Sequence, residues 1–380
     1  MYRRVICVMG RPLDQSDGIG IYTSHLLRNM LAIDPTTRYV IVLSSPKHER
    51  MFDEFPNAEI QVRTARSKAW WDQVTVPLAA RRVKADIIFN PKFSIPLFSG
   101  LPRVMVLHSS DWFINPSNYS WWDNRYIRFM LPLYCARAAK VLSISKRARD
   151  DSVKYLHIDG SKVTLSFAAA GPHFKVITDQ TALRAFAERY KLPPKFILTV
   201  ARTYHTGLSG LPEYPGGNNE RLLQGYRKYR QSGGTLPLVV VGREIERYLR
   251  ARGLDDRALE GVHFTGFIPN LEIVHAFNLA EFFVLATLYE SFPLPLIEAL
   301  STGCPAVVPI TGGCQDLAES SARYIDPLLS DSIAEAMMAV ASSPELRERM
   351  RVAGLERAKE FSWHKTAERT LAVLDAIVPR

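Results

Sequence analysis

Cysteine is scarce and scattered. Cys7, Cys135, Cys304 and Cys314 show neither a paired pattern nor the short intervals of a metal site. Such thiols point to a reducing compartment, so a cytoplasmic location is expected. No apolar run reaches the roughly 18 residues that a membrane-spanning helix needs. Met1 to Val5 passes directly into a short strand and then meets Arg11 and Pro12, unlike a secretory leader. Heptad seams, low-complexity tracts and short repeats are absent too, which argues against coiled-coil, disordered and solenoid classes. Nothing matches a nucleic-acid-binding motif, so no nucleic-acid partner is expected despite the net charge of +10.

What is present is a long, evenly apolar chain. Its 380 residues are 47% hydrophobic with charges spread throughout, enough for two cored domains rather than one. Short β-branched runs at 4–9, 39–44, 86–90, 104–108, 140–145 and 163–167 predict strands in the first half. Runs at 196–201, 237–242, 262–265, 282–287 and 305–309 do so in the second. Helical patterns separate them, as in an α/β chain with two doubly wound parallel sheets.

The most informative segment is Tyr289-Glu290-Ser291-Phe292-Pro293-Leu294-Pro295-Leu296-Ile297-Glu298. Phe282 to Thr287 reads as a buried parallel strand, and Leu294 to Thr302 as a helix ended by Gly303. Glu290 is thereby expected on the loop at a strand's carboxyl end and Glu298 on the helix that follows. The helix N-terminus between them suits a phosphate, because it offers unpaired N–H groups and the positive end of the dipole.

This segment resembles the E-x7-E motif of the retaining glycosyltransferases of family 4, and the resemblance extends over most of the chain. It implies the GT-B fold: two Rossmann-like domains facing across a cleft. Residues 1–171 would bind the acceptor and 172–361 the nucleotide sugar. Residues 362–380 would form a helix crossing back to the first domain. By the same resemblance Glu290 contacts the donor sugar and Glu298 the ribose, with Ser291, Phe292, Pro293, Leu294 and Pro295 forming the donor loop between them. The turn at Gly18 and Gly20 approaches the donor diphosphate. His108, ending the strand at Val104, contacts the transferred sugar and is grouped with Glu290 as catalytic. Arg202, after the strand at Phe196, neutralises the phosphates.

Three departures stand out. Pro293 and Ser291 replace usual glycines, and proline has no N–H to offer. A glycine- and proline-rich insertion at 203–217 occupies the place where the family normally carries a second phosphate-binding lysine. The second cation is missing or comes from Arg243 or His205.

Charge is unequal between the halves. Residues 1–170 hold 24 Lys+Arg against 14 Asp+Glu, whereas 171–380 hold 24 of each, and five of the six tryptophans lie in the first part. Arg63, Arg66 and Lys68 precede Trp70, and Trp112, Trp121 and Trp122 precede Arg125. Basic residues beside indoles suit an anionic bilayer surface or a lipid-linked acceptor, while packing in the core is the plainer alternative for the indoles.

The expected activity is metal-independent, cofactor-free hexosyl transfer with retention. The donor would be GDP-mannose or a UDP-sugar, and the acceptor a glycan or lipid-linked saccharide of polysaccharide biosynthesis. The expected location is the cytoplasm, with peripheral attachment to the inner face of the membrane as an option. Another GT-B sugar-nucleotide enzyme and a catalytically silent nucleotide-sugar-binding subunit are the alternatives.

Overall fold

The computed structural model describes residues 2–15, 17–116, 119–202 and 217–378. The stretch 203–216, which holds most of the insertion and His205, lies outside them. The chain divides into two units, residues 1–169 with 361–380 and residues 170–360.

The first unit is built on seven parallel strands: β1 (Arg4–Met9), β2 (Thr37–Leu43), β3 (Ala58–Val62), β4 (Ile87–Asn90), β5 (Arg103–Leu107), β6 (Lys140–Ser143) and β7 (Val163–Leu165). Their order is β3-β2-β1-β4-β5-β6-β7. The central strands are apolar along their whole length, and Ile6, Cys7, Val8, Val40, Ile41, Ile87 and Ile88 are fully buried, as a sheet covered on both faces requires. β1 pairs with both β2 and β4, so the chain's winding reverses there.

Helix Gly18–Ile33 follows β1 and buries Leu26, Leu27, Met30 and Leu31. Asp17 caps it, accepting from the N–H of Ile19 at 3.0 Å and of Gly20 at 3.4 Å. The last helix, Trp363–Ile377, is capped by Ser362 and packs on this first helix. Trp363 meets Tyr22 edge-on at 5.4 Å and stacks on His25 at 5.2 Å. The two ends of the chain thus share one core.

Buried Arg4 ties them further. Its Nη1 donates to Asp375 Oδ1 at 2.7 Å and to the Val378 carbonyl at 3.0 Å, while Nη2 lies 3.4 Å from Asp34 Oδ2.

The second unit carries β8 (Ile197–Val200), β9 (Leu238–Val241), β10 (Val262–Gly266), β11 (Phe282–Val284), β12 (Ala306–Pro309) and β13 (Ala322–Ile325), again all parallel, in the order β10-β9-β8-β11-β12-β13. Here β8 pairs with β9 and β11, which makes the reversal point of this sheet. Its core joins Phe282, Val284 and Val307 to Leu222, Tyr226, Ile333 and Met337 from two covering helices.

Two strands escape the sequence reading, β3 and β13. Both are edge strands, short and only partly buried, so polar residues such as Glu59, Gln61 and Arg323 interrupt their apolar signal. β11 also stops at Val284 rather than Thr287. The chain leaves the sheet there, and the Ala286 carbonyl accepts from Asn218 Nδ2 at 2.9 Å. Among the described residues no helix is long and apolar enough to cross a membrane.

Arg4→Ala should lower stability by about 3–5 kcal/mol, because it strips a buried charge of its counterpart. Asp375→Asn should cost much less, since Asp375 is 31% exposed. Denaturant midpoints at constant m would check both, and equal losses would show that the Asp34 pairing carries little.

Candidate active site at the carboxyl edge of the second sheet

In open α/β sheets, ligands bind beyond the carboxyl ends of the strands where the winding reverses. In the second unit that point lies between β8 and β11. Arg202 follows β8 by two residues and is exposed, and Glu290 stands on the loop that follows β11.

The Glu290 loop is held by backbone. The Gly313 N–H donates to the Glu290 carbonyl at 2.6 Å. Gly312 has φ +67°, and a Cβ there would lie 2.8 Å from the Glu290 oxygen; one on Gly313 would lie 2.2 Å from the Ser291 oxygen. Only glycine allows this approach. The Gly312-Gly313 pair was not singled out from sequence, although a Gly-Gly step after a predicted strand was its signal. Ser291 Oγ donates to Tyr289 Oη at 3.2 Å, and Ser291, Phe292 and Pro293 are buried.

Helix Leu294–Thr302 begins at this loop with Pro293 as its N-cap and ends at Gly303 in the left-handed region. The Pro293 carbonyl accepts from Leu296 N–H at 3.0 Å. Pro293 and Pro295 carry no N–H, so between Phe292 and Leu296 only Leu294 can offer one outward. The helix dipole remains, but its donor array is thinner than the expected phosphate cradle.

Glu298 lies one turn in, on the buried face, with 7% exposure. Burial pushes its pKa from 4.5 up to about 7, partly offset by the Arg202 guanidinium. Arg202 and Glu298, 96 residues apart in sequence, are therefore electrostatic neighbours. Burial pushes the Cys314 thiol well up, with the Glu290 carboxylate adding to the effect, so that thiol is inert. Arg243 follows β9, next to β8, and lies over the exposed Phe267 ring at 5.0 Å.

In the first unit the expected residues divide. Gly18 and Gly20 form the first turn of a capped helix, and a Cβ on Gly20 would come 1.8 Å from the Gln15 carbonyl. That close approach within the unit already explains Gly20, without positive φ. His108 follows the last residue of β5, meets Tyr22 edge-on at 4.9 Å, and donates from Nε2 to the Pro91 carbonyl at 2.8 Å. Burial lowers its pKa to about 4, so the ring is neutral at pH 7 and its proton is committed.

Trp112 is the least exposed indole of the expected acceptor or membrane set. It is half-buried between Phe93 and Tyr119 and packs against the core. Trp121 and Trp122 are 62% and 75% exposed and meet edge-on at 4.4 Å. Arg63, Arg66 and Lys68 are exposed as expected.

Two parallel doubly wound sheets with this edge define a protein of the GT-B fold. The whole chain follows that of Anabaena HepE in complex with UDP, with a TM-score of 0.74 over 98% of this chain and 100% of that one at 14% identity. Residues 217–357, which include Glu290 and Glu298, match the family of glycosyl transferases group 1. The chain is 24% identical over 323 residues to the O-antigen chain mannosyltransferase B of Escherichia coli, covering 80% of this chain and 76% of that protein. It is also 24% identical over 238 residues to the serotype-specific mannosyltransferase WbdA of Escherichia coli, covering 61% of this chain but only 28% of that protein's length.

Glu298 makes a titration prediction. Its folded pKa lies above its unfolded value, so the folded state holds a proton that the unfolded chain has released. Stability should therefore fall as pH rises from about 4.5 to 7, by on the order of 3 kcal/mol. Glu298→Gln should lose that slope. Parallel pH–stability curves for the two proteins would refute the assignment.

Proposed function

We propose that this protein is a retaining glycosyltransferase of the family 4 type. It moves a hexose from a nucleotide sugar to a glycan or lipid-linked saccharide in polysaccharide assembly. The observation that supports this most strongly is the meeting of Arg202 with the Glu290–Glu298 segment at the reversal point of the second sheet. That segment lies within the stretch that matches the group 1 transferases. The mannosyltransferase names of the relatives favour GDP-mannose as donor, and the UDP in HepE keeps a UDP-sugar open.

The chemistry follows from the side chains. Glu298 accepts hydrogen bonds from the ribose hydroxyls, which favours its ionised form and releases its proton as the nucleotide binds. Glu290, its backbone clamped by Gly313, orients the sugar hydroxyls and stabilises positive charge at the anomeric carbon. Arg202 and the Leu294 N–H hold the diphosphate. In a front-face displacement the bond from the anomeric carbon to the phosphate oxygen breaks while the acceptor oxygen bonds on the same face. The departing phosphate oxygen takes the acceptor's proton. No covalent nucleophile is needed, and Arg202 supplies the counter-charge that a divalent cation would otherwise provide. Arg243 is placed to assist as a second cation.

Acceptor delivery is assigned to the first unit. Helix Trp121–Arg137 exposes Trp121, Trp122, Tyr126, Phe129 and Leu133 together with Arg125 and Arg128. Indoles and guanidinium groups on one exposed surface suit the interface of an anionic bilayer. The protein would then work as a peripheral enzyme on the cytoplasmic leaflet.

Glu290→Gln should reduce transfer roughly 100-fold or more, the loss typical of one removed electrostatic contact to a transition state, with the fold intact. Transfer at the wild-type rate would refute the donor-site reading. Activity should survive exhaustive chelation, and a strict metal requirement would contradict the mechanism. Replacing Trp121 and Trp122 with alanine should weaken binding to phosphatidylglycerol vesicles without altering nucleotide affinity. Salt-independent binding of both proteins would count against membrane docking.

A further inference from the structure

The first sheet has a reversal point of its own, between β1 and β4, and the chain gathers charge there that the donor chemistry does not use. Arg11 lies in the turn directly after β1, and Lys92 follows the last residue of β4 by two. Lys68 opens the helical segment that carries the buried Asp72.

Lys92 is the unusual member. It is half-buried, and among the described residues its ammonium makes one hydrogen bond, to the neutral Gln15 Oε1 at 2.8 Å. Among those residues no carboxylate lies within ion-pair distance of it, while the Phe93 ring is 5.2 Å from Nζ. An ammonium has three N–H donors, and Gln15 takes only one of them, so Lys92 keeps capacity for further acceptors in a partly desolvated place.

The charges that face Lys92 are otherwise engaged. Asp17 caps its own helix. Asp72 lies 3.4 Å from Arg11 Nη1 and faces the Ser94 hydroxyl. Burial, with the like charges of Lys68 and Arg11 added, lowers the Lys92 pKa to about 8, which still leaves it mostly protonated at pH 7.

We propose that the β1–β4 edge binds an anionic group carried by the acceptor, a phosphate or a sugar carboxylate, with Lys92 as its main partner and Arg11 and Lys68 beside it. The proposal rests on the glycosyltransferase reading and names the acceptor's chemistry. An oxyanion supplies further acceptors to Lys92, and Arg11 can turn the other edge of its guanidinium to a second oxygen. Lys68 also feels Asp123, in the first turn of the helix that exposes Trp121 and Trp122. An acceptor with an anionic group next to an apolar portion would match both features.

The test uses the full chain and three proteins: wild type, Lys92→Met and Arg11→Gln. Inorganic phosphate, glucuronate and vesicles of phosphatidylcholine with phosphatidic acid serve as probes, and GDP and UDP as controls. At least one probe should bind wild type, and both substitutions should weaken it tenfold or more with nucleotide affinity unchanged. Preference for phosphate or for the vesicles points to a phosphorylated acceptor, and preference for glucuronate to an acidic sugar.

Lys92→Met should be at least as thermally stable as wild type, because it removes a partly buried charge that has no carboxylate counterpart. A clear fall in its melting temperature would make Lys92 a structural contact and overturn the proposal. Equal probe binding by wild type and Lys92→Met would overturn it as well, as would a parallel loss of nucleotide affinity, which would give the lysine to the donor. Absence of any nucleotide binding by wild type would instead sink the transferase reading, a result the anion titrations do not affect.

Discussion

All-parallel pairing is the constraint on which the remaining features depend. Strands buried on both faces must be joined by crossovers, so every carboxyl end falls on one edge of its sheet. Where the winding reverses, two neighbouring crossovers part and leave the loops after two adjacent strands open. In the second sheet those loops carry Arg202 and Glu290, and in the first they carry Arg11 and Lys92. The chemistry assigned to each unit follows from that placement more than from any single contact.

Much of this was legible in the residues. Apolar runs such as Leu238-Val239-Val240-Val241 and Phe282-Phe283-Val284, bounded by turn residues, announce buried parallel strands. The start and stop of helix Leu294–Thr302 follow from Pro293 and Gly303. Glu290 and Glu298 could be placed because their surroundings are local in sequence. What stayed hidden depends on long-range approach. Gly312-Gly313 clamps Glu290 from 22 residues away, and the Lys92–Gln15 pair spans 77 residues. The indoles show the same limit, since Trp112 and Trp121 look alike in sequence and only packing separates a half-buried ring from an exposed one.

The donor edge departs from the simplest phosphate cradle in a consistent direction. Prolines at 293 and 295 remove backbone donors from the helix start, so in the proposed reading the work of holding a diphosphate falls more on the Arg202 guanidinium. The same guanidinium eases the burial of Glu298, whose carboxyl otherwise resists ionisation. In the proposed reading Arg202 serves both groups, and a ligand that engages it would change the protonation of Glu298.

The most direct test of the central claim is amide hydrogen exchange of the full chain with and without GDP and UDP. The account predicts that one of these nucleotides protects the amides from Leu285 through Glu298 and around Arg202, and leaves β3 and the first unit's outer edge unchanged. Protection confined to the first unit, or no protection near Glu290 while the nucleotide is bound, would contradict it.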